Sequence, residues 1–278
     1  MNTSLPLFPP YFSPIERAWF FMLRGFNGLV LLFLMLPILV IIPLSFSDST
    51  FLSYPIPGFS MRWYENLIQS EEWMRAAKNS FIIAPMATLL ATVLGTLAAV
   101  GLNKADFPGK TLLMAVLISP MVVPVVVVGV GMYLLFAQIG LSGSYTGLIL
   151  AHAALGAPFV VTTVSATLQG FNHNLVRASL SMGATPLMTF FRITLPVIAP
   201  GLISGALFAF ATSFDEVVIT LFLAGPGQTT LPRQMFTGIR ENISPTIAAL
   251  ATILILFSTA LLLALEWLRG RNKAAARF

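Results

Sequence analysis

The sequence predicts an all-α, polytopic membrane protein with six transmembrane helices, and three observations support that class. First, 57% of its 278 residues are hydrophobic and only 9% are charged, whereas about a quarter of residues are charged in soluble domains. Second, the segment 111–176 contains no Asp, Glu, Lys or Arg. Third, other apolar runs recur at lengths near the ~20 residues that a helix needs to cross a bilayer. These runs leave no separate soluble domain.

The expected spans occupy the apolar runs between turn sequences. The charge-free run is long enough for two crossings, and the fifth span is predicted despite two carboxylates within it. Turn chemistry separates neighbouring spans at NKADFPG (103–109), GLSG (140–143) and GPG (225–227). Pro120 and Pro124 lie inside the third span, where they either kink a gating helix or reflect irregular packing. The six predicted spans are 25–46, 80–102, 112–138, 147–168, 199–223 and 245–267.

The distribution of basic residues predicts that both termini lie in the cytoplasm. With the amino terminus inside, the inner segments carry ten of the fifteen Lys and Arg residues, as the positive-inside rule requires. The expected organisation is a cytoplasmic segment at 1–24, a six-helix membrane domain at 25–268 and a cytoplasmic tail at 269–278. The first apolar run begins after Arg24 and ends without a small-residue cleavage site, so we expect it to remain as an anchor.

A segment at 177–196, RASLSMGATPLMTFFRITLP, predicts two short helices joined by a glycine turn on the cytoplasmic side. Gly183 stands where a helix can end in the left-handed conformation that glycine adopts without strain. Thr185 and Pro186 suit the cap and first turn of a second helix. We expect Leu195 and Pro196 to close that second helix. Together the two helices and the turn are expected to form a rigid projection that another protein can bind.

The spacing of this segment resembles the cytoplasmic signature of bacterial ABC importer permeases. That signature reads Glu-Ala-Ala, three residues, Gly, nine residues and Ile-x-Leu-Pro, and this chain departs from it because Arg177 replaces the glutamate. The resemblance implies a coupling helix within a loop at 170–196 that docks into an ATPase subunit. The alternative is an amphipathic surface hairpin of some other membrane protein. The residues assigned to coupling are Arg177, Ala178, Ser179, Gly183, Ala184, Ile193, Leu195 and Pro196.

Three further segments resemble spermidine/putrescine-type permeases. They are SFDEVVITLFLAGPGQTTLP at 213–232, its continuation at 239–251, and an Arg-Trp-Tyr element at 62–64. The resemblance implies the type I ABC importer permease fold and transport of a polyamine across the bacterial inner membrane by alternating access. It also implies a homologous permease subunit, an ATPase dimer and a periplasmic binding protein as partners.

The chain itself offers no nucleotide site. PGKT at 108–111 imitates the end of a phosphate-binding loop, but Lys104 occupies the position of its required first glycine. We therefore expect ATP and Mg²⁺ on the partner ATPase, no cofactor on this chain and no catalytic residues. The net charge of +5 is spread along membrane flanks, which favours anionic lipid over nucleic acid as a partner.

Asp215 carries the sharpest chemical prediction, because a carboxylate inside a span usually faces a polar cavity or a partner. An anionic lining would attract a cationic polyamine, so Asp215 and Glu216, with Ser213 and Thr212 as hydrogen-bonding neighbours, are assigned to the substrate pathway. The alternative is that both carboxylates cap or solvate a helix end. In that case they can also pair with Arg233 or Arg240.

Other polar residues support weaker assignments. No cysteine is present, and His152 and His173 are too isolated to form a metal site. His152 is expected to hydrogen-bond to a neighbouring helix. The segments 60–72 and 225–240 are candidate surfaces for a binding protein, or else an ordinary amphipathic helix and a connecting loop.

Several functional classes stay open at this level. The coupling loop also occurs in importers of opines, metals, oxyanions and sugars. A secondary transporter or channel that needs no ATPase is also polytopic, but it does not account for the spacing at 177–196. An intramembrane enzyme needs a catalytic constellation, and we find no His-rich, Ser/Lys or paired-Asp arrangement that supplies one.

Overall fold

The computed structural model describes residues 13–104, 106–241 and 243–275. Residues 1–12 of the predicted cytoplasmic segment and 276–278 of the predicted tail lie outside that range. A π turn (Phe190–Thr194), a 3₁₀ turn (Pro226–Gln228) and an isolated antiparallel bridge between Ser47 and Phe59 accompany the α-helices. The helices are α1 (Pro14–Leu44), α2 (Arg62–Gln69), α3 (Glu71–Lys104), α4 (Lys110–Val122), α5 (Val125–Gln138), α6 (Tyr145–Gln169), α7 (Asn174–Ser181), α8 (Pro186–Thr189), α9 (Leu195–Phe214), α10 (Val218–Leu223), α11 (Leu231–Glu241) and α12 (Pro245–Ala275).

The all-helical, membrane-spanning class predicted from the sequence is confirmed. Within the described residues, five helical segments are long and apolar enough to cross a membrane, and the bent pair α4–α5 raises the number to six if it forms one span. The five segments are Pro14–Leu44, Glu71–Lys104, Tyr145–Gln169, Pro186–Phe214 and Pro245–Leu263.

The third predicted span is not one kinked helix. Helices α4 and α5 meet at 107°, far more than a proline kink. Val123 is extended, with φ −71° and ψ 134°, as expected of a residue whose helical conformation is blocked by the following proline. Pro124 then caps α5. Pro120 remains inside α4, so Pro124 rather than Pro120 accompanies the break.

The chain divides into two compact units, and the larger one comprises 67–242 together with 263–278. Its centre is formed by α3, α6 and α9, which pack against one another through a cluster of buried apolar side chains. Helix α3 contributes small residues spaced three or four apart, so their side chains share one face. The buried members of that face include Ala76, Ala84, Ala87, Ala91, Gly95 and Ala99.

The other unit comprises 1–66 and 243–262. None of the residues of α1, all of which the structure describes, is buried. The Arg-Trp-Tyr element holds the segment just after α1. Trp63 Nε1 donates to the carbonyl of Ser47 at 2.7 Å, Tyr64 Oη lies 2.7 Å from Ser45 Oγ, and Arg62 lies 3.7 Å from a carboxylate oxygen of Asp48.

Candidate functional site

The segment around Gly183 has the local conformation predicted for it. Helix α7 ends at Ser181, and Gly183 adopts φ +84°, the left-handed region that glycine tolerates. Its N–H donates to the carbonyl of Leu180 at 3.0 Å. Thr185 caps α8 by accepting a hydrogen bond from the N–H of Met188 at 3.2 Å. The glycine turn therefore separates α7 from α8.

The predicted end of the second helix at Leu195 and Pro196 is wrong. The helix continues from Pro186 to Phe214 through the π turn. In that turn the N–H of Leu195 donates to the carbonyl of Phe190, five residues earlier. Pro196 has no N–H to donate, and it lies in the first turn of α9 immediately after this wider turn. The glycine turn is therefore continuous with a helix of the core.

One side of this segment packs against the core and the other is exposed. Val176, Ile193 and Leu195 are partly buried against the core cluster, and Ser179 Oγ lies 3.0 Å from Thr189 Oγ1. Ser179 and Ala184 are half-buried and lie on the side of the segment that faces the core. The opposite side is exposed and is available to a partner. Among the assigned coupling residues, those exposed are Arg177, Ala178, Gly183 and Pro196.

Three large apolar side chains stand out on the exposed side. Met182 is 87% exposed, Leu187 69% and Phe191 56%. The sequence assignment omitted them, because it followed the signature positions. The sequence did contain a signal for them, because all three are large apolar residues next to the signature positions, and their exposed side chains are available to a partner or to lipid.

The fifth predicted span has a helix, but its predicted end at 223 is wrong, because that helix stops at Phe214 and α10 starts only at Val218. Asp215 is the C-cap of α9 and is exposed. Glu216 is half-buried, and its Oε1 accepts a hydrogen bond from the N–H of Ile219 at 2.8 Å. Two polar residues thus end one helix and cap the next. The α9–α10 break, defined as residues 215–217, presents two adjacent carboxylates.

The two carboxylates of the break differ in their surroundings. Glu216 is half-buried and its carboxylate accepts a hydrogen bond from a backbone N–H of α10, whereas Asp215 is exposed. Within 106–241 neither carboxylate has an ion-pair partner. Asp215 is therefore the carboxylate that is open to a ligand.

The alternative ion pairs with Arg233 and Arg240 are not formed in the structure. Arg233 Nη1 donates to the carbonyl of Ala224 at 2.9 Å. The guanidinium of Arg240 lies 5.9 Å from the centre of the Phe236 ring. The capping alternative does hold for Glu216, whose carboxylate satisfies an orphan N–H of α10.

Ser213 is 4% exposed and belongs to a buried hydrogen-bond bridge. Its Oγ lies 2.9 Å from His152 Nδ1, and His152 Nε2 lies 3.2 Å from Thr220 Oγ1. Thr220 Oγ1 donates to the carbonyl of Glu216 at 3.2 Å, so its oxygen is left to accept from Nε2–H. This His152 bridge joins α6 to both sides of the break.

The expectation that His152 bonds to neighbouring helices is confirmed. Ser213 lies in the bridge, while Thr212 is half-buried next to it. Thr220 was missed, because a threonine in an apolar run gives no local signal of its partner. Among the described residues, no group of three or more His, Asp or Glu is placed to hold a metal ion.

Comparison with known proteins identifies the class of this chain. Residues 91–274 match the family described as binding-protein-dependent transport system inner membrane component. The chain is 33% identical to the spermidine/putrescine transport system permease protein PotC of Haemophilus influenzae, over 91% of this chain and 98% of that protein. It is 36% identical to the putrescine transport system permease protein PotI of Escherichia coli, over 80% of this chain and 82% of that protein.

A solved structure shares the fold. A chain of a bacterial ABC transporter involved in the import of the acidic polysaccharide alginate superposes with a TM-score of 0.77 at 13% identity, covering 93% of this chain and 99% of that one. At that identity the likeness concerns the fold alone. By the extent of the family match and of the similarity to PotC, this chain belongs to the binding-protein-dependent transport system inner membrane component family, the multi-pass inner-membrane permeases of ABC importers.

Proposed function

We propose that the chain moves a polyamine, spermidine or putrescine, across the bacterial inner membrane by alternating access, with both of its termini in the cytoplasm. The observation that carries this substrate is the similarity to PotC and PotI over at least 80% of the chain. Alternating access requires at least two arrangements of the helices, each favoured by different contacts with ligand and partners. An opine, metal or oxyanion as substrate has no comparable support.

The energy comes from a separate ATPase dimer that binds ATP and Mg²⁺, and the chain pairs with a homologous permease subunit. The exposed side of the segment 174–191 is the proposed contact with that ATPase. Met182, Leu187 and Phe191 offer apolar surface there, and Arg177 adds a positive charge. Because α8 and α9 form one continuous helix, movement at the turn reaches the bundle without crossing a flexible joint.

The substrate pathway passes the α9–α10 break. Asp215 is exposed and has no ion-pair partner within 106–241, so its charge is available to a cation. His152, seven residues into α6, lies about 10 Å along that helix at 1.5 Å per residue. The break bonded to it is therefore near the Tyr145 end of α6. Placing Tyr145 on the outer side makes Asp215 an early contact for an incoming polyamine.

A periplasmic binding protein delivers the substrate to the outer face. Segments 60–72 and 225–240 are the candidate docking surfaces. Helix α11 exposes Phe236 and Ile239, by 40% and 50%, beside the charged residues Arg240 and Glu241. An apolar centre with a charged rim is typical of a docking interface.

Co-purification tests the coupling role. The chain, its permease partner and the ATPase are expressed together, and the ATPase captured by the tagged chain is measured with the wild-type segment 174–191 and with Met182, Leu187 and Phe191 all changed to Ser. These three side chains are exposed, so the variant should lose the ATPase and polyamine uptake while the side of the segment that packs on the core is unchanged. Retention of both would refute coupling through this segment and favour a transporter that works without an ATPase.

Uptake measurements test the pathway. Asp215→Asn removes the charge and keeps the shape, so spermidine uptake by the intact assembly should fall about tenfold if one ion-pair contact of ~1.4 kcal/mol is lost in transport. Asp106→Asn, in the loop before α4, is the matched control and should leave uptake unchanged. Normal uptake by Asp215→Asn, or competition by anions or neutral sugars in place of polyamines, contradicts the proposal.

A further inference from the structure

Asn79 in α3 is a buried side chain that the coupling turn and the α9–α10 break do not use. It is 1% exposed, and its Nδ2 donates to the carbonyls of Gly227 at 3.0 Å and Thr229 at 2.8 Å. Its Oδ1 accepts a hydrogen bond from Tyr145 Oη at 2.7 Å. The opposite orientation of the amide would place its oxygen against two carbonyl oxygens. This pattern of partners therefore defines which end of the amide faces the loop.

Several further hydrogen bonds hold the same loop, residues 224–231, which we call the outer loop. Ser80 Oγ accepts from the N–H of Leu231 at 2.8 Å, and Tyr145 Oη also lies 3.3 Å from the carbonyl of Gly227. Gln228 Oε1 accepts from the N–H of Gly225 at 3.1 Å. The loop has one short 3₁₀ turn, and besides Gln228 and the bond from Arg233 to the carbonyl of Ala224, side chains of α3 and α6 hold its backbone between Gly227 and Leu231.

The packing of α3 against the other helices does not explain why position 79 is an amide. The buried face of α3 is otherwise made mainly of small and apolar residues. A polar side chain that is buried without hydrogen-bond partners destabilises a fold. The amide of Asn79 avoids this cost because it donates to two carbonyls of the outer loop, which in turn gain a donor. While its underside is anchored, the outer loop exposes Pro226 and Gly227.

We propose that Asn79 is a positioning residue that preorganises the outer loop for docking of the periplasmic binding protein. This inference rests on the proposed function, in which segment 225–240 receives that partner. A loop that is already ordered loses less conformational freedom when it binds, so its affinity is higher than that of the same loop without anchors. Asn79 acts through the loop backbone and does not touch the partner.

The experiment uses the complete transporter, with both permeases and the ATPase, in lipid nanodiscs. ATP hydrolysis is measured against the concentration of the cognate binding protein loaded with spermidine. Asn79→Ala should raise the half-maximal concentration about tenfold and leave the maximal rate unchanged, since loss of preorganisation weakens docking and not the later steps. Asn79→Asp should raise it further, because a carboxylate then faces two carbonyl oxygens.

A smaller change and a control complete the series. Tyr145→Phe removes one hydroxyl from the cluster and should raise the half-maximal concentration less than Asn79→Ala does. Gln138→Glu changes an exposed amide to an acid at the end of α5, on the same side as Tyr145, and should have no effect. If Asn79→Ala does not assemble with the ATPase, Tyr145→Phe decides the question.

The outcomes separate the inference from the function on which it rests. An unchanged half-maximal concentration in an assembled variant, or a reduced maximal rate with an unchanged half-maximal concentration, overturns the role of Asn79 and leaves the importer intact. If no loaded binding protein stimulates even the wild-type transporter, the proposed function fails, and the role of Asn79 fails with it.

Discussion

Helices α1 and α6 are both apolar enough to span a membrane, yet they differ in how many of their residues are buried. In α1 no residue is buried, and Phe33 is 75% exposed. In α6 about half of the residues are buried, and Leu148, Val160 and Val164 are fully so. Hydropathy ranks α1 above α6. Apolar composition therefore favours the membrane as the environment but does not say how many residues of a helix are buried.

Small residues allow α3 and α9 to approach α6 closely, and helices in lipid gain their packing from such close approach. A Cβ added at Gly205 in α9 would lie 2.7 Å from the Cα of Val160 in α6, and one at Gly95 in α3 would lie 2.8 Å from the Cβ of the same residue. A Cβ at Gly28 in α1 would have nothing within 4 Å. A Cβ at Gly201, one turn before Gly205 in α9, would lie 2.7 Å from the carbonyl oxygen of Thr163 in α6, so both glycines allow α9 to approach α6 closely.

The strongest test of this comparison changes one glycine in each region. Gly205→Val should lower the free energy of unfolding by about 3 kcal/mol, because the new side chain meets the backbone of α6. Gly28→Val should change it by less than about 0.5 kcal/mol, as for surface substitutions. Unfolding in detergent, followed by circular dichroism, measures both. Equal losses would show that the close approach of α6 does not cause the loss at Gly205.

A second pair of variants asks which polar groups the bundle needs. His152→Leu keeps an apolar side chain in place but leaves Ser213 and Thr220 without their shared partner, so we expect a loss of about 2 kcal/mol in unfolding free energy. Thr96→Val is the matched control, because Thr96 Oγ1 is buried with no hydrogen-bond partner. That change should be neutral or slightly stabilising. If both variants behaved alike, the His152 bridge would contribute nothing specific.

The smallest expected effect is at the glycine turn outside the bundle. Gly183→Ala places a side chain at φ +84° and should cost about 1 kcal/mol of unfolding free energy. Gly170→Ala, where φ is −94° and nothing lies within 4 Å, is the control and should be neutral. Thermal unfolding midpoints of the purified chain compare the two. A cost at Gly170 matching that at Gly183 would remove the conformational explanation.

Much of the fold was predictable from local pattern. The spans near α1, α3, α6 and α12 follow from uninterrupted apolar runs, and the turn at Gly183 follows from residues with strong local preferences. The small-residue face of α3 was also readable, since Ala76, Ala84 and Ala91 recur at helical spacing. We predicted the span and missed that face because hydropathy weighs alanine little.

The break at 215–217 and the helix through Pro196 show where local pattern fails. A long apolar run with two carboxylates is compatible with one helix or with two, and only Glu216 bonding to Ile219 decides for two. Likewise Pro196 is compatible with the end of a helix or with its first turn. The π turn before it, which packs Ile193 and Leu195 onto the core, decides for continuation.

By itself the sequence determined that this chain is helical, resides in a membrane and has a glycine turn with the spacing of an importer permease. Those properties depend on solvation and on short-range backbone preferences, which each segment carries alone. Only the tertiary structure decided that His152 bridges α9 and α10 and that Asn79 holds the outer loop. Those bonds join residues more than sixty positions apart, and their geometry exists only after the helices have packed.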